Sequence, residues 1–278
     1  MGRTINDETL RPTQCQGRST ERSPRPISHE NRDHEGKSIY QSRGQRHRLS
    51  SDQSRMLQDL GAFRTITANS LRKHLYDNDD ERFRKDLRSL REQRLLTVQS
   101  GSRASGEYIS LTRAGKELTQ SALSNRDQVV YSGIVKKREL RHDAAIYYVY
   151  QKEARKISKG GGTPKRVVLD FELKKQVNRQ LARIQTIPPA ERDRQRQEIA
   201  ETHGLKIVEG KIQFPDVRIE FESRDQEQCK VDLECVTGHY KARQIAAKQA
   251  AGFKLYNQDY RGRSAERGED LIGEVMSL

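Results

Sequence analysis

Apolar positions along this chain change their period several times, and each change marks a predicted element. Residues 1 to about 50 hold Arg, Ser, Gln, Asn, Glu and Gly with scattered single apolar residues, in neither a helical nor a strand period. So little apolar surface cannot offset the entropy of ordering, and 1–48 is expected to be a disordered, mildly basic tail. Such a tail is either a non-specific phosphate-binding arm or a solubilising segment without a task. Patterning starts near Leu49. Ser51 and Asp52 are positioned to cap a helix carrying Met56, Leu57 and Leu60. A second helix runs from about Thr67 with Leu71, His74 and Leu75, and a third follows Asp77–Asp80 with Phe83, Leu87 and Leu90 on one face. Two alternating segments, 95–99 and 107–112, flank a Gly- and Ser-rich loop and read as a hairpin; a short helix begins at Arg113.

Beyond Val129 a helix with Ile146, Tyr147, Val149, Tyr150 and Ile157 is broken by Gly160, Gly161, Gly162 and Pro164. No Gly-Lys-Ser/Thr follows those glycines at P-loop spacing, so they are read as a turn. A short strand over 167–171, a basic amphipathic helix over 173–184 and a solvated helix around 191–198 come next. Val217, Ile219 and Phe221 then alternate with Asp216, Arg218 and Glu220, and Val231, Leu233 and Cys235 alternate with Asp232 and Glu234. Two such strands in an antiparallel hairpin bring Asp216 near Glu234. Paired carboxylates there suit Mg²⁺, a hard cation that polarises a phosphodiester and acidifies an attacking water. The plainer alternative is a solvated strand face. A final helix is expected from about His239 to Tyr256, and residues 261–278 form a C-terminal tail.

Composition narrows the picture. The 278 residues carry 53 Lys and Arg against 39 Asp and Glu, a net charge of +14; 32% are hydrophobic and 33% charged. That balance admits a polyanionic partner, nucleic acid first, although a solvated surface carries the same signature. No run of about eighteen apolar residues exists to span a membrane, and no secretory leader is visible. Three cysteines do not make a disulfide framework and fit a reducing cytoplasm. Cys229, Cys235 and His239 lack a fourth zinc ligand, so buried, inert cysteines are the expectation. His142 and Asp143 open a helix, where Asp is a good cap and a catalytic His a minority reading.

Three helices, a hairpin and another helix, with Arg94-Leu95-Leu96-Thr97 and Leu111-Thr112-Arg113-Ala114-Gly115-Lys116-Glu117-Leu118 at the hairpin's ends, resemble MarR-like winged helices across 49–123. The resemblance implies that the third helix enters the major groove of duplex DNA, with Arg82, Lys85, Arg88 and Arg91 on it and Arg103 at the wing tip as phosphate contacts. Asp79, Asp80 and Glu81 suit the helix dipole but would repel DNA. The hairpin with Pro215-Asp216 and Glu234 is similar to the PD-(D/E)xK nuclease fold, departing from it where Val236 stands in place of the lysine. Together with Arg141-His142-Asp143 and Lys248…Tyr256 these motifs resemble the replication-relaxation family. Lys241 and Lys248 share one helical row and are the candidates for a displaced lysine, or else ordinary snorkelling side chains. Glu172 is a third carboxylate only by analogy.

The expected fold is therefore α+β: a winged helix-turn-helix domain over 49–125, then a restriction-endonuclease-like α/β domain over 126–260. The resemblance implies a cytoplasmic DNA-binding protein of plasmid or mobile-element replication, transfer or regulation. Asp216 and Glu234 would bind Mg²⁺, and Lys241 or Lys248 would stabilise transition-state charge. Endonuclease activity is left open by the missing signature lysine. The rival reading is a non-catalytic regulator whose second domain binds a partner or forms a homodimer.

Overall fold

The computed structural model describes residues 37–42, 44–101, 106–123, 125–133, 139–238, 240–258 and 272–274. Arg103, His239, most of the N-terminal tail and most of the C-terminal tail lie outside them. The chain is mixed α+β. Its first element corrects the expected extent of the tail: β1 (Ser38–Ser42) and β2 (Gln45–Leu49) pair antiparallel, Ser38 opposite Leu49. Gly44, at φ 75°, supplies the turn, and His47 and Leu49 alternate into the core. Tyr40 packs against the same core from β1, and so few inward positions over two short strands leave no readable period.

Helix α1 (Ser51–Phe63) is capped one residue earlier than expected. The Ser50 hydroxyl accepts from the Gln53 N–H at 3.1 Å, and the Gln53 side chain accepts from the Ser50 N–H at 3.0 Å. There follow β3 (Ile66–Thr67), α2 (Ala68–Leu75), α3 (Asp80–Glu92), β4 (Leu96–Ser100) and β5 (Glu107–Leu111). The strands form an antiparallel sheet in the order β3-β5-β4. Tyr76 and the Gln53 side chain both donate to Asp86, tying the three helices together. Met56, Leu57, Leu60, Leu71, Leu90 and Ile109 are fully buried between helices and sheet. Helix α4 (Arg113–Leu118) closes this half with a π-helical turn, Thr119–Leu123.

The second half begins with α5 (Leu140–Lys159) and β6 (Thr163–Leu169). Asp170 and Phe171, expected in a strand, open α6 (Asp170–Arg183), where an acid favours the helix dipole. Helix α7 (Pro189–Thr202) and a small hairpin of β7 (Ile207–Val208) and β8 (Lys211–Ile212) lead to β9 (Val217–Glu222) and β10 (Gln228–Val236). The expected helix to Tyr256 is shorter. Helix α8 (Ala242–Ala250) stops before Gly252, whose φ of 87° breaks it, and the residues beyond form β11 (Lys254–Gln258). A three-residue strand, β12 (Ile272–Glu274), pairs with β11 in what was expected to be a tail. The sheet order is β12-β11-β10-β9-β6, with only β10 and β11 parallel among the described pairs. A parallel pair needs a crossover, and α8 provides it.

Helix α5 covers the apolar face of β9 and β10, and its other side packs on α1. Tyr147 donates to Asp59 at 2.7 Å, and Phe63 meets the Tyr147 ring edge-to-face and the Tyr150 ring at a tilt. The Arg64 guanidinium lies 4.0 Å from the Phe171 ring centroid. Buried residues of both halves thus form one continuous core. The opposite sheet face is not simply solvated. Arg218, 4% exposed, holds Asp232 through two bonds of 2.7 and 2.8 Å and donates to the carbonyls of His203 and Gly204 beyond α7.

Candidate functional site

Asp216 immediately precedes β9, and its backbone is held on both sides. Its N–H donates to the Leu233 carbonyl at 3.0 Å, and its carbonyl accepts from the Asp170 N–H at 3.1 Å. The carboxylate consequently points at the end of β10, where the Cys235 N–H donates to Oδ2 at 2.8 Å. Its Oδ1 lies 3.3 Å from Nε2 of His142 on the first turn of α5. Glu234, one residue earlier on β10, accepts the Asp216 N–H on Oε2 at 3.2 Å. On Oε1 it accepts from Lys248 Nζ at 2.8 Å and from the Tyr240 hydroxyl at 2.9 Å. Lys248 also donates to the Phe214 carbonyl at 2.6 Å, linking α8 to the segment that carries Asp216.

The electrostatics follow from this crowding. Burial, with the nearby Asp216 charge, pushes the Glu234 carboxyl up to about 7, against the opposing pull of Lys248 and Tyr240. The hydrogen bond to Asp216 lifts His142 to about 9, outweighing its partial burial. Burial raises the Cys235 thiol well above its ordinary value, which makes it a poor nucleophile and metal ligand. Cys229 is half-buried. Among the described residues no group of three or more His, Cys, Asp or Glu is arranged to hold a metal ion.

The expected pair and one of the two lysines therefore come together, and the other lysine does not. Lys241 occupies the N-cap of α8, seven residues from Lys248 and so about 10 Å along the helix at 1.5 Å per residue. Its side chain is exposed and meets no carboxylate among the described residues. Glu172 is engaged by Arg166 and by the Tyr131 hydroxyl instead of the pair. Tyr240 falls within the helix expected from about His239, but it lies in the connection before α8, which is what lets its hydroxyl reach Glu234. His142 reads from sequence mainly as part of a helix start, since Asp216 is distant in sequence.

A second candidate surface lies on α3. Arg82, Lys85, Arg88 and Arg91 are all exposed. Arg82 is drawn back to Asp52 and Asp79, whereas Lys85, Arg88 and Arg91 meet no carboxylate among the described residues. The acids at the helix start are committed locally. Asp79 caps the Arg82 N–H, and Asp80 pairs with Arg72 at 3.3 Å and Arg84 at 2.8 Å. No helix among the described residues is long and apolar enough to cross a membrane. Compared with known protein families, curated proteins and solved structures, the chain matches none.

Proposed function

We propose that the chain is a DNA-binding protein in which a winged-helix unit engages duplex DNA through α3 and a nuclease-like sheet presents Asp216, Glu234 and Lys248 to a phosphodiester. The reading of the first half is supported by the order α1-β3-α2-α3-β4-β5 with β3-β5-β4 pairing, and by Lys85, Arg88 and Arg91 on the third helix, which meet no carboxylate among the described residues. For the second half the support is the succession α5, β6, β9, β10, α8 and β11, with α6, α7, β7 and β8 inserted between β6 and β9 and with β10 and β11 parallel. The observation that carries it is Lys248, which reaches Glu234 from α8 and so supplies the cation that the β10 sequence lacks.

Asp216 and Glu234 are oxygen donors of the kind a hard divalent cation takes, and His142 and Lys248 engage them in its place. Two carboxylates repelling each other at the end of one strand pair are what such an ion relieves, and Mg²⁺ is commonly held by one or two carboxylates with substrate phosphates completing its shell. Asp216 and Glu234 would hold it, and when bound it would polarise the phosphodiester and lower the pKa of the attacking water. The chain's own groups act around them. Tyr240 and the Asp216 N–H fix the Glu234 carboxylate, and Lys248 offers an ammonium to negative charge developing on phosphate. Handling of plasmid or mobile-element DNA is the process that the replication-relaxation resemblance implies.

Supercoiled plasmid incubated with Mg²⁺ tests the catalytic part. Nicking by the native chain, lost by about a hundredfold or more in both Asp216→Ala and Lys248→Ala, is the expected result. The regulator reading is favoured by one observation: Glu234 is 1% exposed and both its oxygens are already occupied. It predicts no nicking by any form and unchanged duplex affinity in Asp216→Ala.

A further inference from the structure

A cleft of about 520 Å³ opens between α1, α2 and the C-terminal half of α5, away from both surfaces described above. Its walls carry Arg55 from α1 and Arg155 and Lys159 from α5, the last two one helical turn apart. None of the three meets a carboxylate within ion-pair distance among the described residues. The one carboxylate lining the cleft among the described residues, Asp59, accepts the Tyr147 hydroxyl at 2.7 Å. Arg155 donates instead to Nδ1 of His74 at 2.9 Å. That imidazole is neutral, because burial together with Arg155 and Lys73 pushes it down to about 4. It therefore leaves the guanidinium charge uncompensated. With Nδ1 accepting, the His74 proton sits on Nε2, which is buried with no hydrogen-bond partner among the described residues. The half-buried Tyr150 ring adds an aromatic surface.

Three cations against one internally bonded carboxylate leave the cleft with an excess of about two positive charges at neutral pH, and an anion is the group that relieves it. The volume lies within the range of about 300–1,000 Å³ typical of small-molecule sites. We propose that this cleft binds a phosphate-bearing ligand of nucleotide size, its phosphates on Arg55, Arg155 and Lys159 and its flat moiety against Tyr150. Nothing in this depends on duplex binding by α3 or on chemistry at Asp216.

Calorimetric titration of the full chain with ATP, inorganic phosphate and adenosine tests the inference, alongside the double variant Arg155→Ala/Lys159→Ala, whose exposed side chains leave the core intact. Saturable ATP binding, weaker phosphate binding and none with adenosine are expected. The double variant should bind ATP about tenfold or more weakly, because charge-assisted contacts are lost, while keeping native duplex affinity. Absence of saturable ATP binding at millimolar concentrations overturns the proposal, as does an unaltered affinity in the double variant. Equal affinity for phosphate and ATP overturns the nucleotide size. A loss of duplex affinity matching that of Arg88→Ala also overturns it, since the cleft would then be part of the duplex track.

Discussion

Asp59 shows how one residue couples burial to stability. Loss of solvation on burial raises its carboxyl to about 6, although the Tyr147 hydroxyl and Arg55 pull the other way. A carboxyl whose folded value exceeds its unfolded one contributes stability that is complete below about 3.8 and lost as pH rises through 6. Asp59→Asn keeps an acceptor for Tyr147 and has no charge to bury. Urea unfolding should show the variant equal to the native chain near pH 4 and more stable by about 1–2 kcal/mol at pH 7.5, a figure reduced for partial solvent screening. A native chain that gains stability over that interval relative to the variant contradicts the account. At the same scale, sequence brought Asp216 and Glu234 to attention through strand alternation. It gave no means of choosing between Lys241 and Lys248, which lie in one helical row and are separated only by which turn of α8 meets the sheet.

At the scale of elements, close approach and surface charge make separate predictions. A Cβ on Gly115 would fall 1.9 Å from the Leu95 carbonyl oxygen, so α4 sits against the start of β4 only because that residue has no side chain. Gly115→Ala must push backbone apart, and thermal unfolding should show a loss of about 1–3 kcal/mol despite alanine's better helix propensity. Helix α3 presents the opposite case, a face whose residues support little of the fold. Replacing Arg88 and Arg91 by alanine should leave the melting temperature nearly unchanged. The same change should reduce the salt dependence of duplex binding by about two phosphate contacts, seen as a shallower slope of log affinity against log salt. An unchanged slope removes α3 from the interface. Helix and strand periods were legible in α1, α3, β4, β5, β9 and β10, where one face meets the core. They misled at residues 254–258, since a few apolar residues after a helix satisfy either period until the φ of Gly252 decides.

Across the whole molecule, α5 is the element that joins the two halves, with Tyr147 and Val149 in the same continuous core as Met56, Leu57 and Leu60. Calorimetric and van't Hoff enthalpies of unfolding should therefore agree in a single transition, and a fragment ending at residue 125 should not fold stably, because the α1 surface under α5 would be open to water. Two separable transitions would instead define independent domains. The amino-acid sequence determined the α+β class, the alternating strands of the central hairpin and the position of the acidic pair, because periodicity and residue type are local properties of the chain. Only the tertiary structure decided that Lys248 and Tyr240 close on Glu234, that His142 faces Asp216, and that three cations from two helices share a cleft. Those meetings depend on how helices cross a twisted sheet, a geometry set by the packing of the whole core and written in no single stretch of chain.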